Sequence, residues 1–317
     1  MRNGHPEFIA RILTEEMPPE TRLIINGDDL IACGIAPENE RKYFGIESLD
    51  TDVKECVNLI NDLRVCPECS SILKYEHLRY HHIGKAYCPD CGFKSPECDY
   101  KGKNADLENM TIEVEDGGET AKYRLLNDSV FNIYNVVAVV SLFRELGYSR
   151  ERIKELLEQI EIVKSRFDVK EAGGHRIIKQ MAKDKNALGA SRAFDYVAGR
   201  PGDKELILMM NSLGDSKHWS ENVCWLYDAD FEFLNRENIK NIVVTGPRAK
   251  DYYLRLKMAG IGDDRISFVE RELDSPKALK LESGTDIYIF YGTDSITLCN
   301  NVAKNVEKAI EERGETA

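Results

Sequence analysis

The chain lacks a long basic run. Its 43 lysines and arginines stand against 55 aspartates and glutamates, for a formal net charge of -12. Nucleic acid is therefore a disfavoured partner, because binding a polyanion needs clustered cations. No apolar run is long enough to span a bilayer, and no signal-peptide pattern opens at Met1. A phosphate-cradling G-K-S/T loop is missing as well. Gly117-Gly118 and Gly173-Gly174-His175-Arg176 have the glycines but neither the Lys-Ser/Thr nor a strand-to-helix setting.

What is present fits an ordinary globular chain. A length of 317 residues points to about two domains, and 42% hydrophobic residues are enough for ordinary cores. The nine cysteines are not spread evenly. Cys66-Pro67-Glu68-Cys69 is answered by Cys88-Pro89-Asp90-Cys91-Gly92, a C-x2-C-x18-C-x2-C spacing. Two such knuckles supply four thiolates to a tetrahedral zinc ion, and Gly92 lets the second turn close. Paired redox motifs are the bland alternative. Four sulfurs leave no open position for water, so the expected zinc ribbon (64–96) is structural. The segment between the knuckles is read as having no core of its own, held together by metal. His77, His81 and His82 are read as surface residues that join Lys74, Arg79, Lys85 and Lys94 in a locally basic face. The other cysteines (Cys33, Cys56, Cys98, Cys224, Cys299) are scattered. This usage fits a reducing cytoplasm.

Around the ribbon, short apolar strands alternate with helices, which indicates an α/β architecture. A helix is expected over Pro6–Glu16, with Phe8, Ile9, Ile12 and Leu13 on one stripe. Strands follow at Arg22–Asn26 and Arg41–Ile46. Met110–Glu115 and Ala121–Leu126 read as a hairpin around Asp116-Gly117-Gly118. Ser129–Leu146 is the clearest helix and ends at Gly147. Ser149 caps the next, over Arg150–Gln159. From about Val169 the rhythm is strand, loop, helix. Strands are expected at Ile177–Met181, Leu206–Asn211, Ile242–Thr245, Arg265–Val269 and Asp286–Tyr291. Helices are expected at Ala190–Val197, Ala249–Ala259 and Ser295–Glu311, and Val223–Tyr227 leads to a polar corner at Asp228. This gives a parallel sheet with helices on both faces, and ligands gather at the carboxyl ends of its strands.

Phe131-Asn132-Ile133-Tyr134-Asn135, entering an apolar helix and followed later by Arg166, resembles the central domain of the Mur ligase family. In that family two asparagines opening a helix hold adenine, whose edge needs paired donors and acceptors. The same pair also fits a capping asparagine beside a solvated one. Combined with a four-cysteine ribbon, the pattern resembles the Mur-ligase-like subunit (MurT) family of lipid II isoglutaminyl synthase. Val223-Cys224-Trp225-Leu226-Tyr227-Asp228-Ala229-Asp230-Phe231-Glu232 is similar to its W-I/L-W/Y-D-x-D-F-E signature. Gly246-Pro247-Arg248-Ala249-Lys250-Asp251 and Leu254-Arg255-Leu256-Lys257 are similar to its next motif.

The resemblance implies a partial Mur-ligase central domain (1–168) carrying the ribbon. A Rossmann-like Mur-ligase C-terminal domain (169–317) follows. It implies amidation of the α-carboxylate of D-glutamate in lipid II, using ATP and Mg2+. The ammonia comes from a class I glutaminase partner, and lipid II is met at the membrane surface. Asn132, Asn135, Arg166 and Asn186 are the implied nucleotide contacts. Asp228, with Asp230 as the alternative, is the aspartate that completes the partner's cysteine–histidine pair. A loop aspartate capping the next helix is the plainer reading of either. The chain departs from the family in two places. Its beginning falls inside the central domain, without the G-K-S/T loop, so a complete ATP site and activity of the chain alone are not expected. A truncated gene, a misassigned start or a fragment would each account for this. The loop Asn211–Asn222 is also thin in acids, with Asp215 the remaining candidate. The alternative function is a non-catalytic Mur-like scaffold that binds a glutaminase.

Overall fold

The computed structural model describes residues 6–160, 167–182, 186–209 and 223–314. The chain divides into two compact units, Met1–Glu161 and Ile162–Ala317. Among the described residues, no helix is long and apolar enough to cross a membrane.

The first unit runs α1 (Pro6–Glu16), β1 (Leu23–Asn26), α2 (Leu30–Cys33), β2 (Arg41–Ile46), β3 (Lys74–Tyr80), β4 (Ile83–Tyr87), β5 (Tyr100–Asp106), β6 (Thr111–Asp116), β7 (Glu119–Arg124), α3 (Val130–Glu145) and α4 (Arg150–Glu158). Its main sheet has the order β1-β2-β5-β6-β7. The first three strands are parallel and the last three antiparallel. Gly117 and Gly118, at φ of +58° and +81°, form the two-residue turn that joins β6 to β7. The core packs Ile112, Val114 and Tyr123 of the sheet against Ile133, Val137 and Val140 of α3. Helix and sheet meet closely over Gly102, where an added Cβ would lie 2.9 Å from Val137 Cγ2. The Ser129 and Ser149 side chains cap α3 and α4 by accepting from the N–H groups of Asn132 and Arg152. The apolar stripe of α1 is not covered. Phe8, Ile9, Ile12 and Leu13 are each 39–44% exposed.

The ribbon is the β3–β4 antiparallel pair with an isolated bridge on either side, Val65 with Ile72 and Tyr87 with Lys94. It does have a core, contrary to the sequence reading. Leu73, Tyr75, Leu78 and Ala86 cluster with Cys66, Cys88 and Leu30 of α2. Nor are His81 and His82 surface residues. Both are buried, as is Arg79, and His77 is partly buried. The expected basic face therefore does not form. The reason is local. β3 carries register irregularities between Tyr75 and His77 and between Leu78 and Tyr80, so strict alternation fails and Leu78, Arg79 and Tyr80 are all buried, while His81 and His82 lie in the turn that follows.

The second unit contains β8 (Phe167–Ala172), β9 (His175–Met181), α5 (Ala187–Gly199), β10 (Lys204–Met209), α6 (Trp225–Asp228), β11 (Ile239–Thr245), α7 (Ala249–Met258), β12 (Ile266–Val269), β13 (Asp286–Tyr291) and α8 (Ile296–Gly314). The sheet order is β12-β11-β10-β13-β9-β8, parallel except for the antiparallel edge strand β8. Every residue of β10 and of β13 is buried, as expected for strands covered on both faces. Leu206, Leu208, Ile242 and Val244 pack against Phe194 of α5 and Tyr252 and Leu256 of α7. The alternate residues Ile207, Val243 and Ile289 pack against Val302 and Val306 of α8. Strand order reverses between β10 and β13, the Rossmann-like arrangement.

Candidate functional site

Each unit carries its own candidate site. In the first, the four ribbon cysteines bring their sulfurs within 4.8 Å of one another. Cys66 Sγ lies 3.6 Å from Cys91 Sγ, and Cys69 Sγ lies 3.5 Å from Cys88 Sγ. A tetrahedron with metal–sulfur bonds of about 2.3 Å has edges of roughly 3.8 Å, so this donor set fits such an ion. Hydrogen bonds from the Ser71 hydroxyl and N–H, and from Cys88, pull the Cys69 thiol down to about 6. One ligand is thus readily a thiolate near neutral pH. Cys66 and Cys88 are buried while Cys69 and Cys91 are exposed.

The ribbon is tied to the sheet by buried charge. Arg79 on β3 reaches the turn at the carboxyl end of β1 and donates to Asp28 Oδ2 at 3.0 Å. It also donates to the Ile46 carbonyl at 2.8 Å, to the Glu47 carbonyl and to the Tyr134 hydroxyl. Its Nε lies 3.3 Å from Asp52 Oδ1. Tyr134, between Asn132 and Asn135 in the chain, donates to the same Asp28 Oδ2 at 2.7 Å. One carboxylate therefore joins the β1 turn, the ribbon and the start of α3. Burial alone would lower the Arg79 pKa, but Tyr134, Asp28 and Asp52 more than offset this and hold the guanidinium charged.

His82 makes the second tie. Nε2 is 3.0 Å from Asp29 Oδ1, and Nδ1 is 3.4 Å from Asp62 Oδ2. Burial would lower its pKa, yet hydrogen bonds and charge from Asp29 and Asp62 raise it from 6.5 to about 9. Asp29 is correspondingly lowered, its burial outweighed by His82 and by the N–H groups of Ala32 and Ile31. A cation whose folded pKa is raised contributes its stability in full below the unfolded value and loses it as pH rises through the folded one. Urea unfolding should therefore show His82 contributing roughly 2–3 kcal/mol near pH 6 and almost nothing near pH 10. His82→Gln should remove that slope. A wild-type profile matching the variant across the range would contradict the tie.

Of the implied nucleotide contacts, Asn132, Asn135 and Asn186 are among the described residues. Asn132 is buried, and its Oδ1 accepts from the N–H of Leu126 at 2.8 Å and of Asn127 at 3.1 Å. Its carbonyl oxygen thus fixes the β7–α3 loop. Asn135, one turn on, is exposed. Asn186 is the N-cap of α5 and accepts from Gly189 N–H at 2.9 Å. Arg166 and the loop Asn211–Asn222, with Asp215, lie outside the described residues.

In the second unit, Val223–Tyr227 leads to an exposed corner at Asp228. Trp225–Asp228 forms the short helix α6. Trp225, Leu226 and Phe231 are buried anchors on either side, and Tyr227 and Asp228 between them are exposed. Asp230 is 2% exposed, and its N–H donates to Ser191 Oγ on α5 at 2.8 Å. Arg255 of α7 holds the same turn. Its Nε donates to the Leu226 carbonyl at 3.1 Å, and its Nη2 donates to the Ala229 carbonyl at 2.8 Å and to Glu232 Oε2 at 2.7 Å.

With this geometry, comparison with known proteins becomes specific. Residues 184–293 match the MurT ligase C-terminal family. The α6 turn lies inside that MurT-like domain. Over 254 residues, 80% of this chain, the sequence is 28% identical to the MurT subunit of the glutamine-hydrolyzing lipid II isoglutaminyl synthase of Staphylococcus aureus strain COL, of which it covers 55%. The MurT subunit from Streptococcus pneumoniae R6 is also 28% identical, over 78% of this chain and 54% of that protein. The chain thus spans about half the length of these curated relatives. Among solved structures, a pseudomurein peptide ligase type C from Methanothermus fervidus aligns with 92% of this chain and 56% of that one. Its TM-score is 0.63 at 20% identity. MurF of Thermotoga maritima, solved with ADP, aligns at TM-score 0.53 and 16% identity, over 96% of this chain and 57% of that one. These structures share the mixed α/β Mur-ligase fold.

Proposed function

We propose that this chain is the ligase half of a glutamine-dependent amidotransferase. It converts the α-carboxylate of D-glutamate in lipid II to the amide during peptidoglycan synthesis. The observation that carries this reading is the rigid turn in the MurT-like domain that presents Asp228 to solvent. Exposure favours Asp228 over the buried Asp230 as the residue that meets a partner. The partner is a class I glutaminase whose cysteine–histidine pair is completed by Asp228. A carboxylate there orients the imidazole and stabilises its charged form.

The chemistry follows from the poor electrophilicity of a carboxylate. One carboxylate oxygen attacks the γ-phosphorus of ATP, and the bond to the ADP oxygen breaks. Ammonia released from glutamine then attacks the acyl carbon. Phosphate leaves, and the nitrogen loses a proton to give the amide. Charge on the transferring phosphoryl group calls for Mg2+ and for cationic groups. Asn135 and Asn132 are assigned to the adenine edge and Asn186 to the ribose side, with Arg166 as a further nucleotide contact. Zinc is assigned to the four thiolates as a structural ion that holds the ribbon folded. The reaction is placed in the cytoplasm, at the membrane face where lipid II is reached.

Asp228→Asn should lower glutamine hydrolysis by the glutaminase complex about 10^3–10^4-fold while leaving complex formation intact. Hydrolysis at the wild-type rate in that complex would contradict the assignment.

A further inference from the structure

We propose that Arg255 is the positioning residue for Asp228, and that it sets the partner's turnover without touching the partner or its substrate. This rests on the reading of Asp228 given above. The side chain is 2% exposed, among the largest fully enclosed groups of the second unit. A buried cation is a costly way to fill a core, and an apolar side chain of similar volume would do so more cheaply. The placement of its bonds explains why a guanidinium stands there. Two of its acceptors, the carbonyls of Leu226 and Ala229, bracket Tyr227 and Asp228 in the chain. The third, Glu232, neutralises the charge from the far side of the turn. The ring of Phe231 lies beneath, with its centroid 5.2 Å from the guanidinium carbon.

The segment needs such a clamp. A helix of four residues cannot hold itself, because nucleation costs more than one turn of hydrogen bonds returns. Cys224, at its N-cap, makes no side-chain capping bond. Backbone bonds at its carboxyl end are few, Ala229 N–H to the Trp225 carbonyl and Phe231 N–H to the Ala229 carbonyl, and the planar fork of Arg255 adds donors from α7 to the carbonyls of Leu226 and Ala229. From α5, Ser191 fixes the N–H of Asp230 just past the turn. The backbone on both sides of Asp228 is thus pinned to two different helices, which fixes the direction in which its Cα–Cβ bond leaves the turn. A triad aspartate needs that, since a misplacement of about 1 Å can cost on the order of 10^2-fold in rate.

The test is a double-mutant cycle in the reconstituted complex with the glutaminase, read as glutamine hydrolysis. Arg255→Lys keeps the charge and most of the volume but loses the fork. It should lower kcat roughly 10–100-fold and leave KM for glutamine unchanged. Placed on Asp228→Asn, the same change should cause no further loss, because its effect passes through the aspartate. Losses that multiply in the double variant, or that appear in KM, would overturn the proposal. Should Arg255→Lys fail to fold, Glu232→Gln carries the cycle. It keeps an acceptor, removes the charge, and should give a smaller loss with the same dependence on Asp228. An Asp228→Asn variant with wild-type turnover would instead remove the underlying reading.

Discussion

Chelating the zinc proposed for the four thiolates, or replacing Cys66 with serine, is expected to unfold residues 64–96 and to loosen the carboxyl end of β1 with them. The apolar cluster of the ribbon is small. Leu73, Tyr75, Leu78 and Ala86 surround two of the cysteines, with Leu30 the only other fully buried apolar member. Such a cluster falls short of the ordering entropy of thirty-odd residues, roughly 1–2 kcal/mol each for the backbone alone. Apparent zinc-binding energies of about 10–16 kcal/mol in zinc-finger peptides show that such binding becomes folding energy and offsets part of that cost. The effect should not stop at the ribbon. Arg79 and His82 both sit in or beside the β3–β4 hairpin, and both reach the Asp28-Asp29 turn. Hydrogen exchange should therefore quicken at 26–29 and at the start of α3 once the metal is removed. Unchanged protection there, with the ribbon itself unfolded, would show that the two ties do not couple.

Arg79→Met is expected to destabilise the first unit by about 3–5 kcal/mol in urea unfolding, the range for breaking one side of a buried ion pair. The change leaves Asp28, whose side chain is fully enclosed, without its cation, and Asp52 nearly so. Asp28 would retain the Ile46 N–H at 3.0 Å and the Tyr134 hydroxyl, which limits the loss but does not neutralise the charge. Replacing both partners, Arg79→Met with Asp28→Asn, should recover part of the loss, since the cost lies mainly in the uncompensated carboxylate. Double-variant stability equal to the sum of two separate losses would argue that Arg79 acts by packing alone.

Local signals were read well where local physics decides. The serines capping α3 and α4, the Gly-Gly turn of the β6–β7 hairpin and the apolar runs of β10 and β13 all lie where their residue types place them. The α1 helix also forms where expected, but its apolar stripe stays exposed, because amphipathicity tells which side seeks burial and not what covers it. The misreadings share one cause. His82 and Arg79 look solvated until Asp29 and Asp28 arrive from 53 and 51 residues away, and the β3 irregularity beside Arg79 leaves no mark on composition. Arg255 was visible only as part of a motif. Its partners lie 29 and 26 residues upstream, and nothing in the local pattern of α7 announces a buried cation. Asn132 carried a real signal, a polar residue at a helix start, but the carbonyl oxygen serves the preceding loop.

The most direct test of the account is the product. The protein, combined with the glutaminase proposed as its partner and with glutamine, ATP, Mg2+ and lipid II, should convert the D-glutamate α-carboxylate to the amide, read by mass spectrometry of the released stem peptide. The account predicts amidated lipid II that disappears when ATP or glutamine is withheld, with free ammonia restoring the glutamine-deprived reaction. Unmodified lipid II from an intact complex that still hydrolyses glutamine would contradict it and leave the chain a Mur-like scaffold for the glutaminase.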